Sequence, residues 1–454
     1  MKLRIGNGAG FLGDNLDAPR LLVESAELDY LTLEYLAELT MSILARSREK
    51  DPAAGYAEDF IEVLRSLGPA LGAQAQLRIV TNAGGVNPLS CARVAAGVLC
   101  EAGLEGTRIA AVSGDDLLER LPELMAAGCH FENLDTGLPL ESLDQPVVSA
   151  NAYLGAEGIL EALKQDARVV ITGRVADASL TVGPAVHAFG WSWHDLDRLA
   201  GASVAGHLIE CGAQVTGGYQ RHWQEIDLAT VGYPIAELNE DGSCTITKPS
   251  GSGGMVDRET VAAQLVYEIG DPQHYLTPDV DVDFTAVEIE ETAHDRVQVS
   301  GAKGTKAPDC YKVSLSYRAG YTATGQLLVY GRDCIPKARA CGQMILDRLS
   351  RSGVVFERQH MECLGAGDGV PGTHSAPNGA REVMLRLSVS DPSREAVERF
   401  TREFAPLATS GPAGLAGYTA ARGTVRPVFA YWPTLVPKQH VPHSVQVRPA
   451  GEWL

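Results

Sequence analysis

The chain of 454 residues lacks any window approaching the roughly 18 continuous apolar residues of a membrane span, and no membrane partner is expected. Cysteine pairing of a recognisable kind is also missing. The nine cysteines are odd in number and scattered from Cys91 to Cys363 with no C-x-x-C, which argues against a secreted disulfide framework and a zinc ribbon. A reduced cytoplasm is the expected compartment. Basic residues are scarce as well: 38 Lys and Arg face 57 Asp and Glu, a formal net charge of -19 that repels phosphate backbones, so no nucleic-acid partner is expected. The densest basic stretch, Arg46 to Lys50, reads as the solvated end of a helix. Absent too are a G-x-x-x-x-G-K-[ST] loop, a G-x-S-x-G elbow, an H-E-x-x-H pair and a biotinyl-lysine A-M-K-M. Aromatics make up only 6% against 48 glycines, a composition of tight turns and small-residue packing.

What is present suits a large core. At this length and 45% hydrophobic content, two domains are expected, residues 1–225 and 226–454. In the first half, short apolar runs at Leu3 to Gly6, Tyr30 to Leu33, Leu77 to Thr81, Arg108 to Ser113 and Arg168 to Thr172 alternate with amphipathic stretches at Tyr35 to Arg46, Ala57 to Leu67, Pro88 to Ala102 and Gly155 to Lys164. This alternation predicts an α/β fold with a Rossmann-like, mostly parallel sheet covered on both faces. After residue 225 the pattern turns to hairpin strands, a tight turn at Asp241-Gly242 and helices at Arg258 to Ile269, Cys334 to Leu349 and Ser393 to Phe404, predicting an α+β second domain.

Loops after parallel strands form the ligand crevice of such sheets. Here they concentrate Gly, Asn and Asp. The Gly8–Gly13 segment matches G-x-G-x-x-G after a strand, with Glu34 in place to act as a ribose acid, but the adjacent Asp14 sits badly beside a phosphate. A turn lining another polar ligand is the preferred reading. Asn82 and Asn87 surround a flexible turn before Pro88, where carboxamides suit carbonyl or hydroxyl recognition or simply cap a helix. Asp115 follows the fourth of these strands. Arg174 follows the next one and can grip a carboxylate or phosphate with Asp177 orienting it or acting as a base, although an Arg–Asp pair capping a helix accounts for both equally well.

The sharpest constellation is His207, Glu210 and Cys211, at helical positions i, i+3 and i+4. An imidazole can lower a neighbouring thiol's pKa or form an acid/base pair, and Glu210 can orient the ring or act itself. H-x-x-E-C is no zinc signature, and no metal is assigned. The alternative is a buried helix with a satisfied histidine. Lys248, at the base of a Gly/Ser loop, offers a contact to an anionic ligand or belongs to a plain hairpin connection, and the alternating Asp279, Asp281 and Asp283 read as solvated acids.

The blocks Gly10 to Asp14, Leu36 to Thr40, Asn82 to Pro88, Gly114 to Asp116, Asn151 to Tyr153, Thr172 to Asp177, Gly206 to Gln214, Asp241-Gly242, Asp279 and Tyr431 to Pro437 resemble, in order, the acyclic terpene utilisation protein A family, once a domain of unknown function. The resemblance covers nearly the whole chain. It implies work in the breakdown of geraniol- and citronellol-type acids or leucine-like branched acids handled as CoA thioesters, with no catalytic residues carried over.

The combined expectation is a lyase or hydro-lyase acting on a small acyl or acyl-CoA substrate by acid/base chemistry. His207, Glu210, Cys211 and Asp177 are the expected catalytic residues, and Asp14, Asn82, Asn87, Asp115, Arg174 and Lys248 the substrate-binding ones. CoA is expected only as part of the substrate, and a homo-oligomer is expected. The alternatives are a non-catalytic acyl-binding subunit of a carboxylase or hydratase system, and a Cys-dependent thioester hydrolase or acyltransferase.

Overall fold

In the computed structural model, which describes residues 2–370, 372, 379–416 and 423–454, the apolar runs of the first half become a parallel sheet. Its strands are β1 (Lys2–Asn7), β2 (Tyr30–Leu33), β3 (Arg78–Thr81), β4 (Arg108–Ser113) and β6 (Val169–Thr172), lying in the order β1-β2-β3-β6-β4. All but β1, which leaves Lys2 exposed, are covered on both faces. Ile79, Ile109, Val169 and Ile171 join one buried cluster with the helices α1 (Ala18–Ser25), α3 (Glu58–Ala73) and α4 (Pro88–Glu101). The alternate residues Val80, Ala110 and Val170 are equally buried on the opposite face, as the two-residue period of a strand requires.

Two features depart from the sequence expectation. Strand β5 (Val147–Ala152) leaves the main sheet to pair with the long β14 (Cys310–Tyr330). The sheet also continues past β1 through antiparallel β7 (Ile235–Asn239), β8 (Cys244–Thr247), β12 (Arg296–Ser300) and β11 (Glu288–Ala293), while β19 (Ser444–Pro449) closes the other edge beside β4. The architecture is therefore a mixed ten-stranded sheet. A dinucleotide-binding order winds outward on both sides of a central first strand, whereas β1 here borders an antiparallel neighbour.

Because those hairpin strands hydrogen-bond into the sheet of β1, the contacts divide later than the boundary drawn at residue 225. One compact unit comprises Met1–Ser316 with Tyr431–Leu454, and the other Tyr317–Ala430. In the second unit, β15 (Arg358–Leu364) and β16 (Glu382–Asp391) pair antiparallel under the helix Cys334–Arg351, and Ile345, Leu385, Leu387 and Phe400 form its core.

The helix α8 (Leu196–Glu210) is buried nearly all round in the first unit, and its small residues explain how. A Cβ on Gly206 would come within 2.9 Å of Ala178 Cα, and one on Gly201 within 2.1 Å of the Gly242 carbonyl oxygen. Close packing of this kind aims the C-terminal end of α8 at the carboxyl edge of β1. There Asn7 Nδ2 donates to the Ile209 and Glu210 carbonyls at 2.7 and 3.0 Å, satisfying groups that the last helical turn leaves open.

The alternating Asp279, Asp281 and Asp283 do not converge on one point. Asp279 instead holds two helix starts together, accepting from Ala156 N at 2.8 Å and Ser179 Oγ at 2.5 Å. Asp281 accepts from Thr305, and Asp283 from Thr285.

Gly201 and Gly72 provide a paired test of this packing. Gly201→Ala meets backbone that cannot swing away and is expected to cost about 1–3 kcal/mol in urea unfolding. Gly72→Ala, where nothing lies within 4 Å, is expected to leave stability unchanged or raise it by about 0.5 kcal/mol. Equal effects at the two positions would refute close packing of α8 against the β7–β8 turn.

Candidate functional site

The carboxyl ends of β2, β3, β4 and β6 meet around one guanidinium. Arg174, only 3% exposed, follows β6; its Nη1 lies 2.9 Å from Asp177 Oδ1 and 3.7 Å from Glu34 Oε1, and donates to the Leu36 carbonyl at 2.7 Å. Its guanidinium carbon sits 4.1 Å from the centre of the Tyr153 ring. Four partners of one planar cation fix it in place.

Each neighbour is held in turn. Asn82 donates to Glu34 Oε1 and accepts from Tyr35 N, and Leu36 N donates to the same Glu34 oxygen. Asp115, fully buried after β4, accepts from Arg174 N at 2.9 Å and Asn151 Nδ2 at 2.8 Å. Tyr153 donates to Glu38 at 2.6 Å, and Lys312 reaches the same carboxylate at 3.2 Å while lying over the Tyr153 ring.

Burial dominates the acid strengths here. It raises Glu34 well above the carboxylate range, helped by the charge of Asp177 and opposed by Arg174. Asp177 is likewise raised by burial against the pull of Arg174, and Asp115 is pushed up by burial to about 7. Glu38 goes the other way: burial is outweighed by the Tyr153 hydrogen bond and Lys312, which hold it at about 2. The cluster thus contains protonated and ionised carboxyls side by side.

The end of α8 adjoins this cluster, and the negative charge of Asp177 adds to burial in pushing the Glu210 carboxyl and the Cys211 thiol up. His207 Nδ1 lies 3.1 Å from Glu210 Oε1, as the helical spacing predicts. Its Nε2 lies 3.0 Å from the Gln264 carbonyl, while Gln264 Nε2 donates back to the His207 carbonyl. Both ring nitrogens are therefore occupied, and the ring is buried against Tyr275 and Phe284. Burial raises Glu210 against the effect of His207, and Glu210 overcomes burial to raise His207, so the pair retains a proton.

Cys211 is the residue just beyond the helix, and both imidazole nitrogens of His207 are directed to Glu210 and Gln264. Burial and the Glu210 charge push the Cys211 thiol up to about 12, the reverse of the activated thiolate the sequence allowed for. Among the described residues no group of three or more His, Cys, Asp or Glu is arranged to hold a metal ion.

Asp14 joins the same edge from the loop after β1. It accepts from Gly10 N at 2.8 Å, Asn15 N at 2.7 Å and Tyr233 Oη at 2.5 Å, beside Gly212. Gly13 N is taken by Asp59. The amides of the G-x-G-x-x-G segment thus point at the chain's own carboxylates, where a nucleotide phosphate would have to sit.

Two expected members are engaged by other groups of the chain. Asn87 caps α4, accepting from Ser90 N and donating to the Pro52 and Ala54 carbonyls. Lys248 is buried and neutralised by Asp295 at 2.9 Å while donating to the Ser252 carbonyl. The sequence reading missed Asn7, Glu38, Tyr153 and Lys312 as participants. Glu38 and Tyr153 stood in blocks noted for their resemblance without being singled out, and Lys312 lay inside an ordinary strand pattern.

A raised carboxyl carries a stability consequence with a definite sign. Asp115 binds its proton more tightly folded than unfolded, so the cost of ionising it is absent near pH 4, grows as pH rises, and is complete above about pH 7. Asp115→Asn is expected to gain stability relative to the parent across that interval, by an amount on the order of 4 kcal/mol at most. Urea unfolding at pH 5 and pH 8 measures it, and a pH-independent difference would contradict the assignment.

No curated protein and no solved structure matches the chain significantly. The family model described as "Acyclic terpene utilisation family protein AtuA" matches residues 3–447, so the chain belongs to the acyclic terpene utilisation family.

Proposed function

We propose that the chain acts in the utilisation of acyclic terpenes as a lyase or hydro-lyase on a small branched acyl or acyl-CoA substrate. The observation that carries this reading is two carboxyls of raised pKa, Asp177 held by the fixed Arg174 guanidinium and Glu210 by His207, each covered less completely than the group that holds it. Asp177 is 34% and Glu210 13% exposed, whereas Arg174, Glu34 and His207 behind them are almost wholly buried. Accessible groups can touch substrate; buried ones position them.

In this reading Asp177, held by Arg174, accepts the proton from the carbon next to the acyl carbonyl. Glu210, protonated and oriented by His207, gives its proton to the departing hydroxyl. One C–H and one C–O bond break, a carbon–carbon double bond forms, and water leaves. The reverse sequence hydrates the double bond. Apolar side chains left exposed close by in the chain, Phe11 near Asp14 and Leu39 in the helix turn next to Glu38, suit a branched hydrocarbon chain.

The thioester hydrolase reading loses its support with the high thiol pKa of Cys211 and the occupied ring of His207. The non-catalytic subunit reading has no observation of its own in favour.

Branched hydroxyacids, their unsaturated counterparts and the CoA thioesters of both form the substrate panel. Asp177→Asn and Glu210→Gln are each expected to lower kcat by about 10²–10⁴-fold, while Cys211→Ser retains most of it. Loss of turnover in Cys211→Ser, with iodoacetamide labelling near neutral pH, would instead indicate covalent chemistry. Binding without turnover across the panel would indicate an acyl-binding subunit.

His207→Gln provides a separate check on its positioning role. Removing the imidazole raises Glu210 further, so the alkaline limb of the kcat profile for dehydration is expected to move to higher pH. An unchanged limb would leave His207 as packing only.

A further inference from the structure

At the opposite edge of the parallel sheet, where the strands begin, three arginines share one level. The pairings Ile79 with Val169 and Ile109 with Val169 put Arg78, Arg168 and Arg108 in register on three adjacent strands. Parallel neighbours in register point to the same face, and strands lie about 4.8 Å apart, so three arginine side chains leave the sheet side by side. Like charges so placed repel. In a chain of net charge -19 such a row is a local reversal of sign.

The three line one cavity of about 410 Å³, together with Thr107, Gly106 and Asp166. Asp166 is the sole carboxylate of the lining; it pairs with Arg78 at 2.8 Å and is itself 79% exposed. Arg168 donates through Nε to the Leu77 carbonyl and through Nη2 to those of Leu71 and Gln74, and burial lowers its pKa, with Arg78 adding to the effect. Arg108 differs from both: its side chain makes no hydrogen bond or ion pair, and its Nε is buried without a partner. A buried, unpartnered guanidinium nitrogen is costly unless an anion arrives.

We propose that this cavity binds the phosphate group of a small organic phosphate monoester. A guanidinium row recognises a dianionic tetrahedral oxyanion through charge-assisted hydrogen bonds, and Thr107 adds a hydroxyl at the rim. The cavity is larger than the phosphate ion alone, leaving room for the organic part. It lies at the edge away from Arg174, so the bound phosphate is a second ligand and not the acyl substrate.

Arg108 is the residue to change, because the structure assigns its side chain no partner to lose. Arg168 and Arg78 hold backbone carbonyls, and their removal would disturb the fold. The experiment follows the melting temperature of the full chain, and titration calorimetry, with inorganic phosphate and with ribose 5-phosphate against sodium chloride of equal ionic strength. Both phosphates are expected to stabilise the parent beyond chloride, ribose 5-phosphate more strongly. Arg108→Ala is expected to weaken either by at least tenfold while melting normally in chloride, with Arg108→Lys in between. Phosphates no more stabilising than chloride, or an Arg108→Ala response equal to the parent's, would overturn the proposal.

Discussion

The buried guanidinium of Arg174 is the constraint on which the candidate site depends. A cation withdrawn from water must be surrounded by acceptors, and here Asp177, Glu34, the Leu36 carbonyl and the Tyr153 ring face do this together. Those acceptors come from three different strand ends. Placing the cation therefore fixes the relative positions of the loops after β2, β5 and β6. Burial opposes its charge, but the surrounding acids and Tyr153 more than compensate, so it stays ionised. Burial above all, with the negative charge of Asp177 beside it, then raises Glu34 well above the carboxylate range in spite of Arg174.

The same electrostatics bears on what the site can admit. A carboxylate substrate, or the phosphates of a CoA thioester, would be repelled by a cluster of fully ionised acids. With Glu34 and Glu210 shifted toward their neutral forms and Asp177 balanced by Arg174, the local charge is far less negative than the residue count suggests. Lys312, lying over Tyr153 and bonded to Glu38, adds a partly exposed cation at the same edge. The low-dielectric setting that raises these acids also makes their hydrogen bonds stronger than they would be in water.

Much of this was legible in the sequence, for reasons that can be stated residue by residue. The strands Tyr30–Leu33 and Arg108–Ser113 were read with their observed limits because strands buried on both faces are unbroken apolar runs bounded by polar loops. The convergence of Asn82, Asp115, Arg174 and Asp177 followed from parallel topology alone. His207 and Glu210 met because helical spacing brings i and i+3 together. The sequence could not reveal that Cys211 stands one residue past the helix end, or that Gln264 would take the other imidazole nitrogen, since that contact joins positions 57 residues apart. Lys248 and Asn87 were misplaced for a related reason. Their local contacts, Ser90 N for Asn87 and the Ser252 carbonyl for Lys248, match the capping and hairpin alternatives, while Asp295 and the Pro52 and Ala54 carbonyls are distant in sequence and without a local pattern.

The G-x-G-x-x-G segment illustrates how a motif and its chemistry separate. Its value in nucleotide binding comes from open backbone amides at a helix start, not from the glycines themselves. In this chain Asp14 folds back on Gly10 N and Asn15 N, Asp59 takes Gly13 N, and the following helix begins only at Ala18, so the open donors are already satisfied by fixed negative charge. A phosphate there would have to displace or stack against two carboxylates. Tyr233 then ties Asp14 down from β7's side of the sheet, and Gly10 packs against the Cys211 backbone so closely that a Cβ would lie 2.8 Å from it. The turn thus serves as a rigid wall that carries Asp14 up to the end of α8. Gly10 is required by that close approach and Gly13 by its positive φ, and it is the position of Asp14, rather than an anion grip, that this loop contributes to the edge where His207, Glu210 and Asp177 stand.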